Sequence, residues 1–280
     1  MPELPEVETT VAGLRGPLEG QRITRVELRR PDMRKPFPPD LRQRMTGARV
    51  TGLGRRAKYG LIHTDRGDTM IFHLGMSGRW VIDADEVNVH DHLLLETDGD
   101  EGTGAPGRGG HRFALRDPRR FGFVDLVPTT DLALYPAFAA MGPEPLGSDL
   151  TAPYLADVLK GRAAPIKAML LDQRIVAGLG NIYVCEALNM AGIAPTRPSG
   201  QISRPRLVRL VTAIREVLAA AIEAGGSSLR DYVRPDGQLG YFAKDWRVYG
   251  REGLPCPCGT PVLRRVDGGR STFYCPTCQR

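Results

Sequence analysis

The chain begins MPELPEVETTVAGLRGPL (residues 1–18), with two prolines and three glutamates crowded ahead of any apolar rhythm. A helix tolerates proline and favours carboxylates in its first turn, because its leading amides lack intrahelical partners and that end of the dipole is positive. Val7, Val11, Leu14 and Leu18 then recur at helical spacing. The spacing predicts an amphipathic helix from about Pro5 to Leu14, broken at RGPLEG.

Outward from this helix the pattern changes period. RITRVELRR, ARVTGLGRRAKYGLIHT, DTMIFHLG, RWVID, HDHLLLET, HRFALRD and FGFVDLVP are short, often alternating runs between turn residues, which predicts an antiparallel sandwich or barrel-like body over 21–127. Residues 98–110, DGDEGTGAPGRGG, read as a flexible loop between two strands. After about Pro143 the period becomes helical. Thr151 can cap a short helix through Lys160, and SRPRLVRLVTAIREVLAAAIEAGG sets Leu207, Leu210, Val211, Ile214, Val217, Leu218 and Ile222 on one face before two glycines stop it. The expected fold class is α+β in three parts: residues 1–143, 144–240 and 241–280.

The net charge of +6 points toward a polyanionic partner, and the last forty residues carry seven Lys/Arg against three acids. The N-terminus is acidic and has no apolar core, and no stretch approaches a membrane span, so a cytoplasmic protein with no membrane partner is expected. Four of five cysteines lie in CPCGTPVLRRVDGGRSTFYCPTCQR (256–280). In a reducing compartment clustered thiols favour metal, and Cys256, Cys258, Cys275 and Cys278 offer four soft ligands for one structural Zn²⁺. The one-residue spacer in the first knuckle departs from the usual two and leaves open a finger that folds without metal. Cys185 reads as a buried structural thiol.

Several shorter constellations suit a nucleic-acid surface. RDPRRFGF joins Arg119 and Arg120 to Phe121 at a strand turn, a combination that can grip a backbone and push a ring into the base stack. Met76 lies in the turn-rich HLGMSGRW and reads equally as core. AGLGNIYVCEAL sets Asn181 at or near a helix start, where amides can bind phosphate, although a plain N-cap asparagine is commoner. Lys58 in RRAKYGL reads on its own as an exposed edge-strand lysine.

The motifs PELPEVET (2–9), GRRAKYG (54–60), HLGMSGRW (73–80), DPRRFG (117–122), GLGNIY (178–183) and VYGREGLPC…RSTFYCPTCQ (248–279) stand in the order found in formamidopyrimidine-DNA glycosylases, which the chain resembles along nearly its whole length. The resemblance implies an N-terminal β-sandwich with a leading helix, a helix–two-turns–helix domain and a zinc-ribbon hairpin. It implies a bifunctional glycosylase and abasic-site lyase that removes 8-oxoguanine and formamidopyrimidines from double-stranded DNA, acting as a monomer through a Schiff base and β,δ-elimination. By motif, Pro2 is the nucleophile, Glu3 the principal acid/base and Glu6 its support. Met76, Arg119 and Phe121 fill the void left by the flipped nucleotide; Lys58, Asn181 and Arg270 clamp phosphate, and Arg120 is a further phosphate contact. His73 either joins those contacts or is a strand-core histidine. The segment GGSSLRDYVRPDGQLGYF (225–242) is expected near the damaged base.

The resemblance also explains the opening residues. If Met1 is removed, Pro2 is a free secondary amine at the head of a helix, whose dipole favours the neutral, nucleophilic form. The carboxylates of Glu3 and Glu6 oppose that shift and offer proton transfer. Two rivals remain at this point: an endonuclease VIII-like glycosylase for oxidised pyrimidines, and a non-catalytic zinc-containing DNA-binding protein.

Overall fold

The computed structural model describes residues 2–98, 110–226 and 246–280. Met1, most of the glycine-rich stretch 98–110, and 227–242 of the segment expected near the damaged base lie outside the described residues. One compact unit runs to Ala139; a second takes Ala140–Ala224 and the segment from Trp246 to Arg280.

The first unit opens with helix α1 (Leu4–Leu18) and continues through β1 (Ile23–Leu28), α2 (Leu41–Met45), β2 (Val50–Arg56), β3 (Tyr59–Thr64), β4 (Asp68–His73), β5 (Arg79–Ile82), β6 (Asp91–Thr97), β7 (Arg112–Arg116), β8 (Phe123–Pro128) and the one-turn α3 (Pro136–Ala139). Among the described residues of this unit the strand pairings are antiparallel, in two four-stranded sheets ordered β1-β6-β7-β5 and β2-β3-β4-β8. One core lies between them, drawing Val26, Leu93, Phe113 and Leu115 from the first sheet and Ile62, Met70, Phe72 and Val124 from the second. Phe72 meets Trp80 edge-to-face across that core, with ring centroids 5.6 Å apart. This is the β-sandwich expected from the alternating runs.

Helix α1 packs on β2 and β3 and buries Val7, Val11, Leu14 and Leu18 in the same core. It runs one turn beyond the expected end at Leu14, with Pro17 inside it. A proline costs one intrahelical bond, but the ladder resumes at once: the Glu19 amide donates to the Arg15 carbonyl at 2.9 Å, and Leu18 is fully buried. Packing in the last turn outweighs one missing donor.

The second unit contains α4 (Ala152–Leu159), α5 (Ile166–Leu171), α6 (Asn181–Ala191), α7 (Arg204–Glu223) and the hairpin β9 (Leu263–Asp267) with β10 (Arg270–Tyr274). The Thr151 hydroxyl accepts the Tyr154 amide at 3.2 Å, the cap that the sequence promised. α6 is buried on nearly every side, packs against α5, α7 and β10, and ends at Gly192 in the left-handed region (φ 68°). Cys185 faces a small core with Val248, Cys256, Val262 and Cys275, so α6 and the hairpin share packing. Among the described residues no helix is long and apolar enough to cross a membrane.

Leu14 is completely buried where α1 meets the sandwich. Leu14→Ala should destabilise the first unit by about 2–5 kcal/mol through the cavity it leaves, read as a lower denaturation midpoint in urea.

Candidate active site and metal centre

At the head of α1, Pro2, Glu3 and Glu6 are all buried. Glu3 is the N-cap residue and forms a reciprocal capping box: its backbone amide donates to Glu6 Oε2 at 2.8 Å, while its side chain accepts from the Glu6 backbone. Val7 N–H closes the first turn on the Glu3 carbonyl at 3.1 Å. The first turn is therefore closed on itself by the first two glutamates, and both carboxylates lie in the same buried helix head that Pro2 leads into. The third, Glu8, leaves this cluster to pair with Arg55 of β2 at 2.6 Å.

Lys58 does not lie within an edge strand. It occupies the β2–β3 turn next to Ala57, which takes a left-handed φ of 52°. The register pairs neighbouring Tyr59 with His73, the last residue of β4, so Lys58 and His73 come together. His73 sits between Tyr59 (centroids 4.9 Å) and a stacked Phe123 (5.5 Å). Burial pushes its imidazole down to about 4, with the Lys58, Arg34 and Lys35 cations acting in the same direction. Neutral His73 accepts the Gly75 amide at Nδ1 (3.0 Å), which leaves the proton on Nε2. It is a hydrogen-bond donor at neutral pH, not a cation.

Met76 is half-buried on the β4–β5 turn. Arg119, Arg120 and Phe121 are exposed between β7 and β8. Phe121 is 45% accessible, too much for a core aromatic, and the Arg119 guanidinium lies 4.9 Å from its ring centroid.

In the second unit, Asn181 is the first residue of α6, with Gly180 as N-cap, and its Nδ2 donates to the Ser271 carbonyl at 2.8 Å. Its buried Oδ1 has no hydrogen-bond partner among the described residues. Ser271 follows Arg270, so the helix start and the finger arginine are adjacent. Sequence reasoning missed Lys167. It is 3% exposed on α5, and its Nζ donates to Thr272 Oγ1 at 2.6 Å and to the Ser271 carbonyl at 3.3 Å. Burial lowers its pKa. The one local signal was a charge inside the apolar run PIKAMLL. Glu186 was missed as well: its buried carboxylate accepts the backbone amides of Arg247 (2.8 Å), Val248 (3.0 Å) and Tyr249 (2.8 Å). Burial raises its pKa against the pull of those three amides.

The sulfurs of Cys256, Cys258, Cys275 and Cys278 all lie within 4.8 Å of one another, with 256–278 at 3.9 Å and 258–275 at 3.5 Å. A tetrahedron with Zn–S bonds of about 2.3 Å has sulfur–sulfur edges of about 3.8 Å, so the four thiols fit the ion with no open position. The second knuckle turns the Cys278 amide toward Cys275 Sγ at 3.5 Å. In the short first knuckle the Cys258 amide faces the Cys256 sulfur, and Thr260 serves Cys258. Gln279, also missed, accepts the Cys275 amide at 2.8 Å and donates to the Ile193 carbonyl at 3.0 Å, bolting the centre to the end of α6.

Three domain models match the chain: the formamidopyrimidine-DNA glycosylase N-terminal domain over residues 1–124, the formamidopyrimidine-DNA glycosylase H2TH domain over 141–233, and the zinc finger found in FPG and IleRS over 253–280. A formamidopyrimidine-DNA glycosylase of Rhizorhabdus wittichii is 72% identical over 280 residues, covering 100% of both chains. The crystal structure of the MutM (Fpg) protein of Thermus thermophilus superposes with a TM-score of 0.86 at 42% identity, over 99% of this chain and 98% of that one. The G226P mutant of Lactococcus lactis Fpg, solved with DNA containing Fapy-dG, superposes with a TM-score of 0.88 at 33% identity over 100% of both chains. With the finger match and the sulfur geometry, the cysteine cluster is a site for one structural zinc.

Two measurements check this geometry. Purified protein should contain one zinc per chain by elemental analysis, and Cys275→Ser should lose it. Because the finger shares its core with α6, metal loss should lower the thermal midpoint of the whole second unit, not of the hairpin alone. The depressed His73 pKa means that the unfolded chain binds the extra proton between about 6.5 and about 4. Its contribution to stability is thus complete above pH 6.5 and is lost as pH falls through that window. His73→Phe should flatten the pH dependence of unfolding between pH 6.5 and 4.

Proposed function

We infer the chemistry from one premise: the chain belongs to the formamidopyrimidine-DNA glycosylase family. It is a DNA glycosylase and abasic-site lyase for oxidised purines, and its partner is damaged double-stranded DNA. Within that activity we propose that Pro2, freed by removal of Met1, is the nucleophile. The supporting observation is the buried head of α1, where Pro2 is followed directly by Glu3, which is tied to Glu6 in one capping box.

The Pro2 lone pair forms a bond to the sugar C1′ as the glycosidic bond breaks and the oxidised base leaves. Transfer of a proton to the ring oxygen opens the sugar and yields an iminium ion, cationic without further protonation because the amine is secondary. Removal of a C2′ proton expels the 3′ phosphate, a second elimination expels the 5′ phosphate, and water releases the amine. Glu3 carries the proton transfers. Glu6, whose Oε2 receives the Glu3 amide, holds Glu3 in place.

The lesion must leave the stack before it can react, at a cost of a few kcal/mol. Met76, Arg119 and Phe121 fill the space it vacates, and the exposure of Phe121 on a turn supports that role. Lys58, Arg120, Asn181 and Arg270 bind phosphates, with neutral His73 as an additional donor. Four thiolates around one Zn²⁺ carry a net negative charge, so the finger draws DNA through its arginines while the metal holds the hairpin. We propose that it works as a monomer in the cytoplasm, at the nucleoid, where its DNA substrate lies.

Borohydride reduction on duplex containing 8-oxoguanine tests the nucleophile. Protein shown by intact mass to begin at Pro2 should give a covalent adduct, and an N-terminal extension should abolish it. Pro2→Gly, which substitutes a primary amine, should trap more weakly. Strong trapping by protein that retains Met1 would overturn the assignment.

A further inference from the structure

We propose that Asp117 is a positioning residue that locks the Met76 turn to the Arg119–Phe121 wedge, so that the void-filling side chains enter DNA as one rigid block. The proposal rests on the void-filling roles given above. Asp117 is 0% exposed, contacts no solvent, and precedes the wedge in sequence. Its Oδ1 accepts the hydroxyl of buried Ser77 at 2.6 Å, and Ser77 follows Met76 directly. Its Oδ2 accepts the amide of Gly122, which follows Phe121, at 2.8 Å. The same Ser77 oxygen accepts the Arg119 amide at 3.2 Å. One carboxylate and one hydroxyl thus join both ends of the wedge to the neighbouring turn.

The Asp117 backbone completes the bracket. Its carbonyl accepts the Arg120 amide at 3.2 Å and His92 Nε2–H at 2.9 Å, while its amide donates to the His90 carbonyl at 3.0 Å. The Arg120 amide bond goes with a left-handed φ of 57°, a conformation that a non-glycine residue keeps only where its surroundings enforce it. The two loops also touch backbone to backbone. A Cβ on Gly75 would stand 2.3 Å from the Phe121 carbonyl carbon, so the turn and the wedge have no room to slide past one another.

A buried carboxylate is a poor source of stability, since desolvation offsets most of what its bonds return. Its value here is geometric. Met76 and the Arg119–Phe121 pair come from separate loops joined by the Ser77–Asp117 bond across 40 residues, and a wedge that replaces an extruded nucleotide must present them at a fixed separation. Loops alone do not hold such precision without a supporting shell of locked side chains.

The test uses Asp117→Asn, which keeps the shape but turns an amide donor toward one of two existing donors, together with Ser77→Ala and the double variant. Each is assayed for single-turnover base release from an 8-oxoguanine duplex and for borohydride trapping on a single-stranded abasic oligonucleotide, where no base pair has to be invaded. A 2-aminopurine placed beside the lesion follows wedge insertion by fluorescence. Duplex base release and the insertion phase should slow by about tenfold or more, trapping on the single strand should fall far less, and the double variant should be no worse than the poorer single one. Should Asp117→Asn fail to fold, Ser77→Ala alone decides the comparison. Equal losses on the two substrates, or multiplied losses in the double variant, would overturn the coupling while wild-type protein still traps. Failure of the wild type to trap would overturn the nucleophile assignment instead.

Discussion

The hydrogen bond from the Glu3 amide to the Glu6 carboxylate, 2.8 Å long and buried, is the constraint on which the rest of the structure turns. A chain terminus is ordinarily the loosest part of a protein. Here the opposite holds, since Pro2, Glu3 and Glu6 are all buried. The capping box fixes the first turn, and the apolar stripe from Val7 to Leu18 then seats the helix in the core between the two sheets. The sandwich is the support that orders the beginning of the chain.

Away from the helix the same device recurs: a buried polar group that gathers backbone amides or carbonyls from turns, loops or a neighbouring hairpin strand. Asp117 does this for two turns, Glu186 for residues 247–249, Gln279 for the cysteine centre and Lys167 for β10. Each costs desolvation and adds little net stability, but each defines one conformation for a stretch that propensity leaves undecided. The residues proposed to contact DNA stand on turns, a helix start and a hairpin, so rigidity has to be imported from the scaffold. The finger shows the principle most plainly, since its four sulfurs, the Gln279 amide and the Cys185 face of α6 all converge on one small core.

Much of the fold was legible in the residues because the signals are local. Short, often alternating runs between turn residues marked the strands, helical spacing marked α1 and α7, Thr151 announced its own cap, and the cysteine spacing announced a tetrahedral site despite the one-residue knuckle. Local signals also set the errors. Pro17 reads as a stop, and the burial of Leu18 that carries the helix past it is a tertiary fact. Lys58 reads as a strand residue, and the register that makes it a turn residue beside His73 depends on strand pairing.

The sequence by itself determined which chemistry is available: a proline directly behind the initiator methionine, two glutamates one helical turn apart, four thiols and a set of arginines near aromatics. Only the tertiary structure decided which groups meet. Ser77 finds Asp117 across 40 residues, Glu186 finds Arg247 across 61 and Lys167 finds Thr272 across 105. No periodicity encodes such pairs, because a buried charge acquires its partner only when packing removes water and leaves one neighbour within bonding distance.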